Sequence, residues 1–221
     1  MESRESRRFA VRVRGPLACF TRPEMKVERV SYEVMTPSAA RGALEAILWK
    51  PAIRWRVHEI AVLKPIAWAS FRRNEVNSRA SPRTKLYLAD EDRAQRNTVA
   101  LRDVDYVVTA SFEMTTQAGP EDSIRKFEEM FERRLEKGQH FHQPYLGCRE
   151  FAADIEPAPE VFKTIETGVI RPLGLVFWDF DFGENGAPTK PLFFDARLEG
   201  GVLKVPSRED VLRDNGAGGE R

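Results

Sequence analysis

The sequence predicts an α+β protein: a domain with the order β-α-β-β-α-β, followed by a small antiparallel β domain. Three observations support this prediction. Stretches such as 9–14 alternate apolar and polar residues with the period of two expected of a half-buried strand. Two segments, near 36–50 and 121–138, space their apolar residues three and four apart, as amphipathic helices do. Beyond Pro157 the chain contains short alternating stretches separated by Gly, Asn and Pro.

The first strand and the first helix follow from short patterns. In residues 9–14, "FAVRVR", every second residue is apolar, so one face meets the core and the other carries arginines. Thr36 can cap a helix whose first turn is set by Pro37, because the N–H that proline lacks has no partner there. Pro51 ends this helix. The helix has one apolar stripe that must be buried: Ala40, Leu44, Ile47 and Leu48.

The next strands surround a polar excursion. Residues 52–63, "AIRWRVHEIAVL", alternate and then run apolar, which predicts a strand, and "IAWASF" at 66–71 predicts its partner strand. The stretch after Phe71 is polar, basic and poor in periodicity, which predicts an excursion or hairpin out of the sheet near 72–98. Residues 104–112, "VDYVVTASF", alternate again and predict another strand.

A second helix and a last strand complete this half. The helix is expected to start near Pro120 or Glu121, where acidic residues suit the positive end of the helix dipole, and to end at Gly138. The strand is "REFAADI", residues 149–155. The helix has its own apolar stripe: Ile124, Phe127, Phe131 and Leu135. The resulting order is that of a ferredoxin-like fold.

These elements divide the chain into two predicted domains. Residues 1–156 are expected to form the ferredoxin-like domain with its basic excursion. Residues 157–221 form a small antiparallel β domain packed on the first, with strands in "LGLVFWDFDF", "PLFFDARL" and "GVLKVP". The final "DNGAGGER" is expected to be a flexible tail.

Composition excludes several classes of protein. The chain has 35 Lys and Arg, 34 Asp and Glu and only two cysteines, with no CxxC pair, which disfavours a zinc site or a disulfide framework. Glycine-rich phosphate loops are absent, and the acidic pairs suit turns and strand edges better than a two-metal site, so we expect no cofactor and no metal. The lack of a long apolar run disfavours secretion and membrane insertion, and a reducing cytoplasm fits best.

Charge is distributed unevenly along the chain. Residues 51–102 carry 11 Lys or Arg against 5 Asp or Glu, so the first half could face a polyanion. Basic residues interleaved with aromatic ones could grip phosphates and stack on bases, although solvated basic faces are common. The residues of this kind are Arg22, Lys26, Arg29, Tyr32, Arg72 and Arg73.

The histidines offer a candidate for proton transfer. His140 and His142 are two apart, so in an extended segment both rings would point the same way, with Tyr145 and Arg149 nearby. Such a group could move protons near neutral pH, although a packed turn explains the segment equally well. His58 lies in an alternating strand, which favours a structural role.

Long motifs carry a resemblance to a known family. The runs "CFTRPEMKVERVSYEVMTPSAARGALEAILWKP", "RRNEV", "QRNTVALRDVDYVV" and "GQHFHQPYLGCREF" resemble the Dvulg-subtype (type I-C) CRISPR-associated family-five protein of the RAMP superfamily. The resemblance implies a metal-independent pre-crRNA endoribonuclease that stays bound to the 5′ handle of the guide RNA. It also implies the other subunits of a type I-C surveillance complex as partners, and leaves open double-stranded DNA as a further one.

The resemblance also implies a chemistry. The ribose 2′-hydroxyl attacks the adjacent phosphate, which requires a proton acceptor, a proton donor and a cation. The family's tyrosine near the end of the first helix falls at Leu48, and its lysine-histidine pair falls at Lys126 and Phe127. The catalytic candidates are therefore Lys126 and His142. Further RNA contacts are expected from Arg125, His140, Tyr145 and Arg149.

Three functions remain open on the sequence. The first is the repeat-specific endoribonuclease. The second is a non-catalytic subunit that binds the crRNA handle, because two of the three expected catalytic groups are replaced by Leu48 and Phe127. The third is a general binder of single-stranded RNA.

Overall fold

The structure is a computed structural model, and it describes residues 5–25, 27–78, 81, 90, 92–165, 168–182 and 188–217. The strands are β1 (Phe9–Ala18), β2 (Arg29–Val30), β3 (Ile53–Val62), β4 (Trp68–Val76), β5 (Arg93–Met114), β6 (Asp154–Pro157), β7 (Ile170–Phe182), β8 (Pro188–Glu199) and β9 (Val202–Lys204). The helices are α1 (Pro37–Ile47), α2 (Ile124–Glu136) and α3 (Arg208–Ala217), with a 3₁₀ turn at Pro23–Met25. The predicted α+β class is confirmed.

One sheet contains all the strands of the described residues. Its order is β6-β1-β5-β3-β9-β8-β7, and each pair of neighbours along this path is antiparallel. Two strands lie off this path, because β4 pairs antiparallel and β2 pairs parallel with β5. The long strand β5 is therefore the centre of the fold.

The pairing of β4 differs from the prediction. The stretch at 66–71 was expected to pair with β3, but β4 pairs with the first half of β5, from Trp68 opposite Leu101 to Val76 opposite Arg93. This half of β5 lies before the strand predicted at 104–112. It was not predicted as a strand because its outward-facing residues are polar. β4 and the first half of β5 pair as a hairpin within the sheet, and the parts of the excursion at 79–80, 82–89 and 91 lie outside the described residues.

The two predicted helices are present and capped. Thr36 accepts a hydrogen bond from the Ala39 N–H at 3.3 Å and caps α1, as predicted. The cap of α2 is Ser123, so this helix begins after the Pro120 or Glu121 predicted. The reason is a turn before the helix, in which the Gly119 N–H donates to Asp122 Oδ2 at 3.0 Å.

The C-terminal strands continue the first sheet. The three predicted stretches form β7, β8 and β9, but β9 pairs with β3, with Lys204 opposite Glu59, instead of belonging to a second sheet packed on the first. The domain boundary at 156/157 stays a prediction. The strand predicted at 149–155 is also displaced, because its first residues turn before β6 begins.

The end of the chain corrects another expectation. Residues 214–217, part of the predicted flexible tail, belong to α3, where Asn215 Nδ2 donates to the Phe193 carbonyl at 2.7 Å. Residues 218–221 lie outside the described part of the chain.

The core lies where the two helices cover the sheet. The Phe131 ring of α2 lies 5.0 Å from Phe9 and 4.6 Å from Trp55, centroid to centroid, and Trp55 also contacts Phe112. The predicted stripe of α1 is buried as well, with Leu44 0% exposed. Burial of both stripes fixes the ends of α1 and α2 relative to the sheet.

Candidate functional site

The C-terminal end of α1 buries one residue and exposes the next. Leu48, at the position of the family's tyrosine, is 0% exposed, and its carbonyl accepts a hydrogen bond from Trp55 Nε1 at 2.9 Å. Trp49 is 61% exposed. Leu48 is therefore a core residue, as its place in the apolar stripe predicts, and the ring available at this helix end is that of Trp49.

Hydrogen bonds join this helix end to α2 and to the histidine segment. Arg134 Nη1 of α2 donates to the Ile47 carbonyl at 2.8 Å. The Phe141 N–H donates to the Ala46 carbonyl at 2.7 Å. The last turn of a helix leaves its carbonyls without intrahelical partners, and here α2 and the segment after it supply them. The end of α1 and the histidine segment therefore lie side by side.

The first turn of α2 presents two cations and one buried ring. Lys126 Nζ lies 3.1 Å from Asp122 Oδ1, and the Lys126 side chain is 45% exposed. Backbone hydrogen bonding from Gly119, and then Lys126 itself, hold the pKa of Asp122 below its ordinary value. Arg125 is exposed and pairs with Glu129 at 2.8 Å. Phe127, at the position of the family's histidine, is 2% exposed and packs into the core.

The histidine segment bends instead of running extended. The chain bends at Phe141 and His142, so the extended conformation in which both imidazoles would point the same way is not formed. His140 faces a polar cleft that it shares with Arg134. The His142 ring stacks on Tyr145 with centroids 6.2 Å apart, and its Nδ1 lies 3.2 Å from the Gln143 carbonyl. The structure therefore brings His142 and Tyr145 together and leaves His140 at a separate cleft.

Arginines from three strands meet around two glutamates. We call this group the arginine–glutamate cluster: Arg29, Arg73, Arg96, Glu75 and Glu150. Glu150 Oε1 lies 2.5 Å from Arg29 Nη1 and 2.6 Å from Arg73 Nη1. Glu75 contacts all three arginines at 3.0–3.4 Å. Three cations face two carboxylates, so the cluster carries a net positive charge.

The other basic candidates do not all join this cluster. Arg72 is next to Arg73 on β4 and therefore points to the opposite face, where it contacts Gln95 at 3.3 Å. The Arg22 guanidinium covers the Tyr32 ring at 4.5 Å, and Tyr32 is only 2% exposed. Burial raises the pKa of Tyr32. The Tyr32 ring therefore supports Arg22 and does not offer an open stacking face.

The last two predicted RNA contacts are Arg149 and Lys26. Arg149 is exposed and immediately precedes Glu150 of the arginine–glutamate cluster. Lys26 lies outside the described residues. The predicted contacts thus fall into separate places: the arginine–glutamate cluster, the start of α2 and the histidine segment.

Sequence reasoning missed a groove beside the end of α1. Arg41 of α1 donates two hydrogen bonds, of 2.6 and 3.1 Å, to the Asp179 carboxylate of β7. The groove that results is lined by exposed aromatic and basic residues: Trp49, Lys50, Arg54, Phe180, Phe182 and Arg208. Two signals could have found it: the "WK" pair at the helix end, and the spacing of two that puts Phe180 and Phe182 on one strand face.

Within the described part of the chain there is neither a metal-binding group of side chains nor a membrane-spanning helix. No three His, Cys, Asp or Glu side chains there come together as a group that could hold a metal ion. No helix in those same ranges has the length and apolar character needed to cross a membrane.

Comparisons with known proteins assign a family. Residues 9–206 match the model of the family described as CRISPR-associated protein (Cas_Cas5). A relative from Mannheimia succiniciproducens, named CRISPR pre-crRNA endoribonuclease Cas5d, is 46% identical, covering 93% of this chain and 99% of the relative. A relative of the same name from Thermus thermophilus is 42% identical over an alignment that covers 91% of this chain and 93% of the relative.

A solved structure has the same fold over most of the chain. A crystal structure described as that of a CRISPR-associated protein superposes with a TM-score of 0.73 at 25% identity, over 94% of this chain and 95% of the other. The family match and both relatives extend over most of the chain. The chain therefore belongs to the Cas5 family of CRISPR-associated proteins.

Proposed function

We propose that this protein is a pre-crRNA endoribonuclease that cuts the CRISPR repeat transcript without a metal ion and keeps the 5′ handle of the product. The observation that carries the proposal is its identity of 46% and 42%, over nine-tenths of the chain, to two proteins named for that activity. The charged and aromatic surfaces of the described residues suit an RNA substrate.

The proposed reaction is an internal displacement at phosphorus. The ribose 2′-oxygen bonds to the phosphorus and the bond to the 5′-oxygen breaks, leaving a cyclic phosphate and a free 5′-hydroxyl. One group takes the 2′-hydroxyl proton and another supplies a proton to the leaving oxygen. We assign stabilisation of the charged phosphorane to Lys126, whose exposed ammonium group lies at the start of α2. His142 lies in the separate histidine segment and is the alternative candidate, for proton transfer.

We propose two surfaces for the RNA chain itself. The arginine–glutamate cluster has more cations than carboxylates, and phosphates can replace Glu150 as the partner of Arg29 and Arg73. The groove beside α1 offers Trp49, Phe180 and Phe182 to unpaired bases, which stack on exposed aromatic rings. The antiparallel order β6-β1-β5-β3 supports a ferredoxin-like, RRM-related interpretation of this half, a platform suited to single-stranded RNA.

We further propose the biological setting implied by the family resemblance. The partners are the crRNA and the other subunits of a type I-C effector complex, with double-stranded DNA as a further ligand to be tested. The proposed location is the cytoplasm.

Cleavage of repeat RNA in EDTA tests the proposed function. The purified chain is incubated with a labelled transcript of the repeat from its own locus and, separately, with a shuffled sequence of equal length. Cleavage of the repeat at one position, with the shuffled RNA intact, supports a repeat-specific endoribonuclease. Equal cleavage of both RNAs, or dependence on added magnesium, contradicts it.

A second function is favoured by one observation. Leu48 and Phe127 have hydrocarbon side chains, buried at 0% and 2% exposure, and so cannot transfer a proton where the family has a tyrosine and a histidine. A non-catalytic subunit that binds the crRNA handle would bind the repeat tightly, with strong salt dependence, and leave it intact. A general RNA binder would bind the shuffled sequence equally well.

The variant Leu48→Tyr separates the first two functions. A gain of cleavage in this variant would show that the missing group limits catalysis. The site is fully buried, so the larger side chain is expected to cost about 1–3 kcal/mol of stability. Activity is therefore compared only after circular dichroism shows that the variant is folded.

A further inference from the structure

The only two cysteines of the chain lie together, although 129 positions separate them. Both sulfurs contact the same hydroxyl, because Cys19 Sγ and Cys148 Sγ each lie 3.6 Å from Thr21 Oγ1. Cys148 Sγ also lies 3.5 Å from the Cys19 carbonyl oxygen. The fold therefore brings two thiols into one small cluster at the end of β1.

A glycine lets the two backbones approach closely. The Cys19 N–H donates to the Leu146 carbonyl at 3.0 Å, which holds the segment before Cys148 against the end of β1. Gly147 has a φ of +82°, and a Cβ at this position would lie 2.1 Å from the Cys19 carbonyl oxygen. Any other residue would push the segment away. A disulfide requires Cα atoms within about 4.4–6.8 Å of each other, and this close approach brings the backbone next to Cys148 against Cys19.

We propose that Cys19 and Cys148 are a thiol pair that closes to an intramolecular disulfide on reaction with a small-molecule disulfide. Cys148 is the attacking sulfur because it is partly exposed, whereas Cys19 is fully buried and can react only with a sulfur already inside the cluster. This is a modification site independent of the proposed RNA cleavage.

The surroundings of Cys148 favour its thiolate. The hydrogen bond from the Cys19 thiol lowers the pKa of Cys148, and Thr21 and the positive charge of Arg29 act in the same direction against the effect of burial. The same hydrogen bond, together with burial, raises the pKa of Cys19. A thiolate is the reactive form of cysteine, so the first attack belongs to Cys148.

The reaction balances in two exchanges. The Cys148 thiolate attacks one sulfur of the reagent, the reagent's S–S bond breaks, and one reagent thiolate leaves with the proton that Cys148 had lost. Cys19 then loses its proton and attacks Cys148 Sγ, which breaks the mixed disulfide and releases the second reagent thiol. The protein loses two electrons and two protons, and the reagent gains them.

Closure would tie a functional segment to the sheet. Cys148 directly precedes Arg149 and Glu150, and Glu150 holds Arg29 and Arg73 in the arginine–glutamate cluster. A covalent link would therefore anchor that segment to the end of β1.

Incubation with oxidised glutathione, followed by acid quenching, intact-mass measurement and peptide mapping, tests the proposal. The wild-type chain is expected to gain a Cys19–Cys148 disulfide with release of two glutathione thiols. Its thermal unfolding midpoint should rise and return after treatment with dithiothreitol. Accumulation of a stable glutathione adduct, or no reaction in the folded wild-type protein, would overturn the proposal.

Two matched variants assign the roles of the sulfurs. Cys19→Ser should stop at a glutathione adduct on Cys148, and Cys148→Ser should react at least tenfold more slowly because only the buried thiol remains. Equal rates in the two variants would contradict these roles. Circular dichroism checks that each variant is folded, and the wild-type measurement decides the proposal even if one is not.

Discussion

Lys126 is the residue on which the proposed chemistry depends most. Its ammonium group is exposed beside Asp122, where it can approach a phosphate. We predict that Lys126→Ala lowers the single-turnover rate of repeat cleavage by about 100-fold, since removing one group that stabilises transition-state charge costs this much in other enzymes. The measurement is the cleavage rate at saturating protein.

Lys64 offers a matched control for this variant. Its side chain is 43% exposed, against 45% for Lys126, and it also pairs with an aspartate, Asp103, at 2.6 Å. Lys64→Ala should leave the rate within about twofold of wild type, because a surface pair contributes little to stability. An equal loss in both variants would mean that Lys126 acts through general charge and not at the reaction site.

His58 gives a pH-dependent prediction. Its Nε2 lies 2.6 Å from Ser111 Oγ, which in turn donates to Glu5, and burial, followed by repulsion from Arg8, lowers the pKa of His58. When the pKa of a histidine is lower in the folded state than in the unfolded state, its contribution to stability is complete above the unfolded-state pKa, near 6.5. This contribution is lost as the pH falls through the folded-state pKa.

We therefore predict that the free energy of unfolding of the wild-type chain falls between pH ~7.5 and pH ~5.5, and that His58→Gln reduces this fall. Glutamine keeps a polar partner for Ser111 but does not titrate. Urea unfolding at the two pH values measures the difference. An unchanged pH dependence in the variant would exclude His58 as its source.

At the scale of elements, Gly147 controls how the segment before β6 meets β1. Both Gly147 and Gly138 have positive φ, but a Cβ at Gly138 would meet nothing within 4 Å. We predict that Gly138→Ala costs about 1–2 kcal/mol of unfolding free energy, from backbone strain alone. Gly147→Ala adds the clash with Cys19 and should cost about 2–5 kcal/mol. Chemical denaturation compares them, and equal costs would contradict the close approach.

Local signals explain which elements could be predicted. The start of α1 follows from Thr36 and Pro37, which act within its first turn, whereas the helix ends at Ile47, four residues before the Pro51 expected to end it. The start of α2 was placed too early because Glu121 suits a helix dipole, whereas Ser123 supplies the actual cap. The first half of β5 was not predicted as a strand because its residues are mostly polar, with exposed and half-buried positions alternating.

The sequence also contains an N-cap signal for α3, which the prediction did not include. Ser207 Oγ accepts from the Asp210 N–H at 3.2 Å, the pattern of a helix N-cap after Pro206. The polar residues that follow have no apolar stripe, so periodicity could not reveal α3. A capping pattern can therefore indicate a helix that hydrophobic spacing does not.

At the scale of the whole molecule, long-range pairing decided what the sequence could not predict. Pairing of β9 with β3 joins segments about 140 residues apart, and no local pattern specifies it. Arg29 and Arg73 were predicted as RNA contacts, but their meeting at Glu150 depends on three distant segments. The sequence therefore predicted which residues could contact RNA, but it could not predict which of them lie together in the folded chain.

The arginine–glutamate cluster yields a prediction at this scale. Removing the negative charge of Glu150 leaves Arg29 and Arg73 freer to bind phosphates. We predict that Glu150→Gln tightens binding of repeat RNA by about twofold to fivefold at low salt, the effect of roughly 1 kcal/mol or less for a surface pair. Fluorescence anisotropy across a salt series measures the change.

Glu199 is the matched control for this prediction. It is also paired with two cations, Arg197 and Lys204, neither of which is a predicted RNA contact. Glu199→Gln should leave affinity unchanged. If Glu150→Gln weakens binding, or if both variants tighten it equally, the cluster is not the RNA surface.

The central claim is that this Cas5-family chain itself cuts repeat RNA by attack of a ribose 2′-hydroxyl. The most direct measurement is a single-turnover reaction of purified protein with repeat RNA in EDTA, followed by analysis of the new ends. We predict one cut that leaves a 2′,3′-cyclic phosphate and a 5′-hydroxyl, and no cut when the nucleotide before it carries a 2′-deoxyribose. Intact RNA under conditions in which the same protein binds it tightly would contradict the claim.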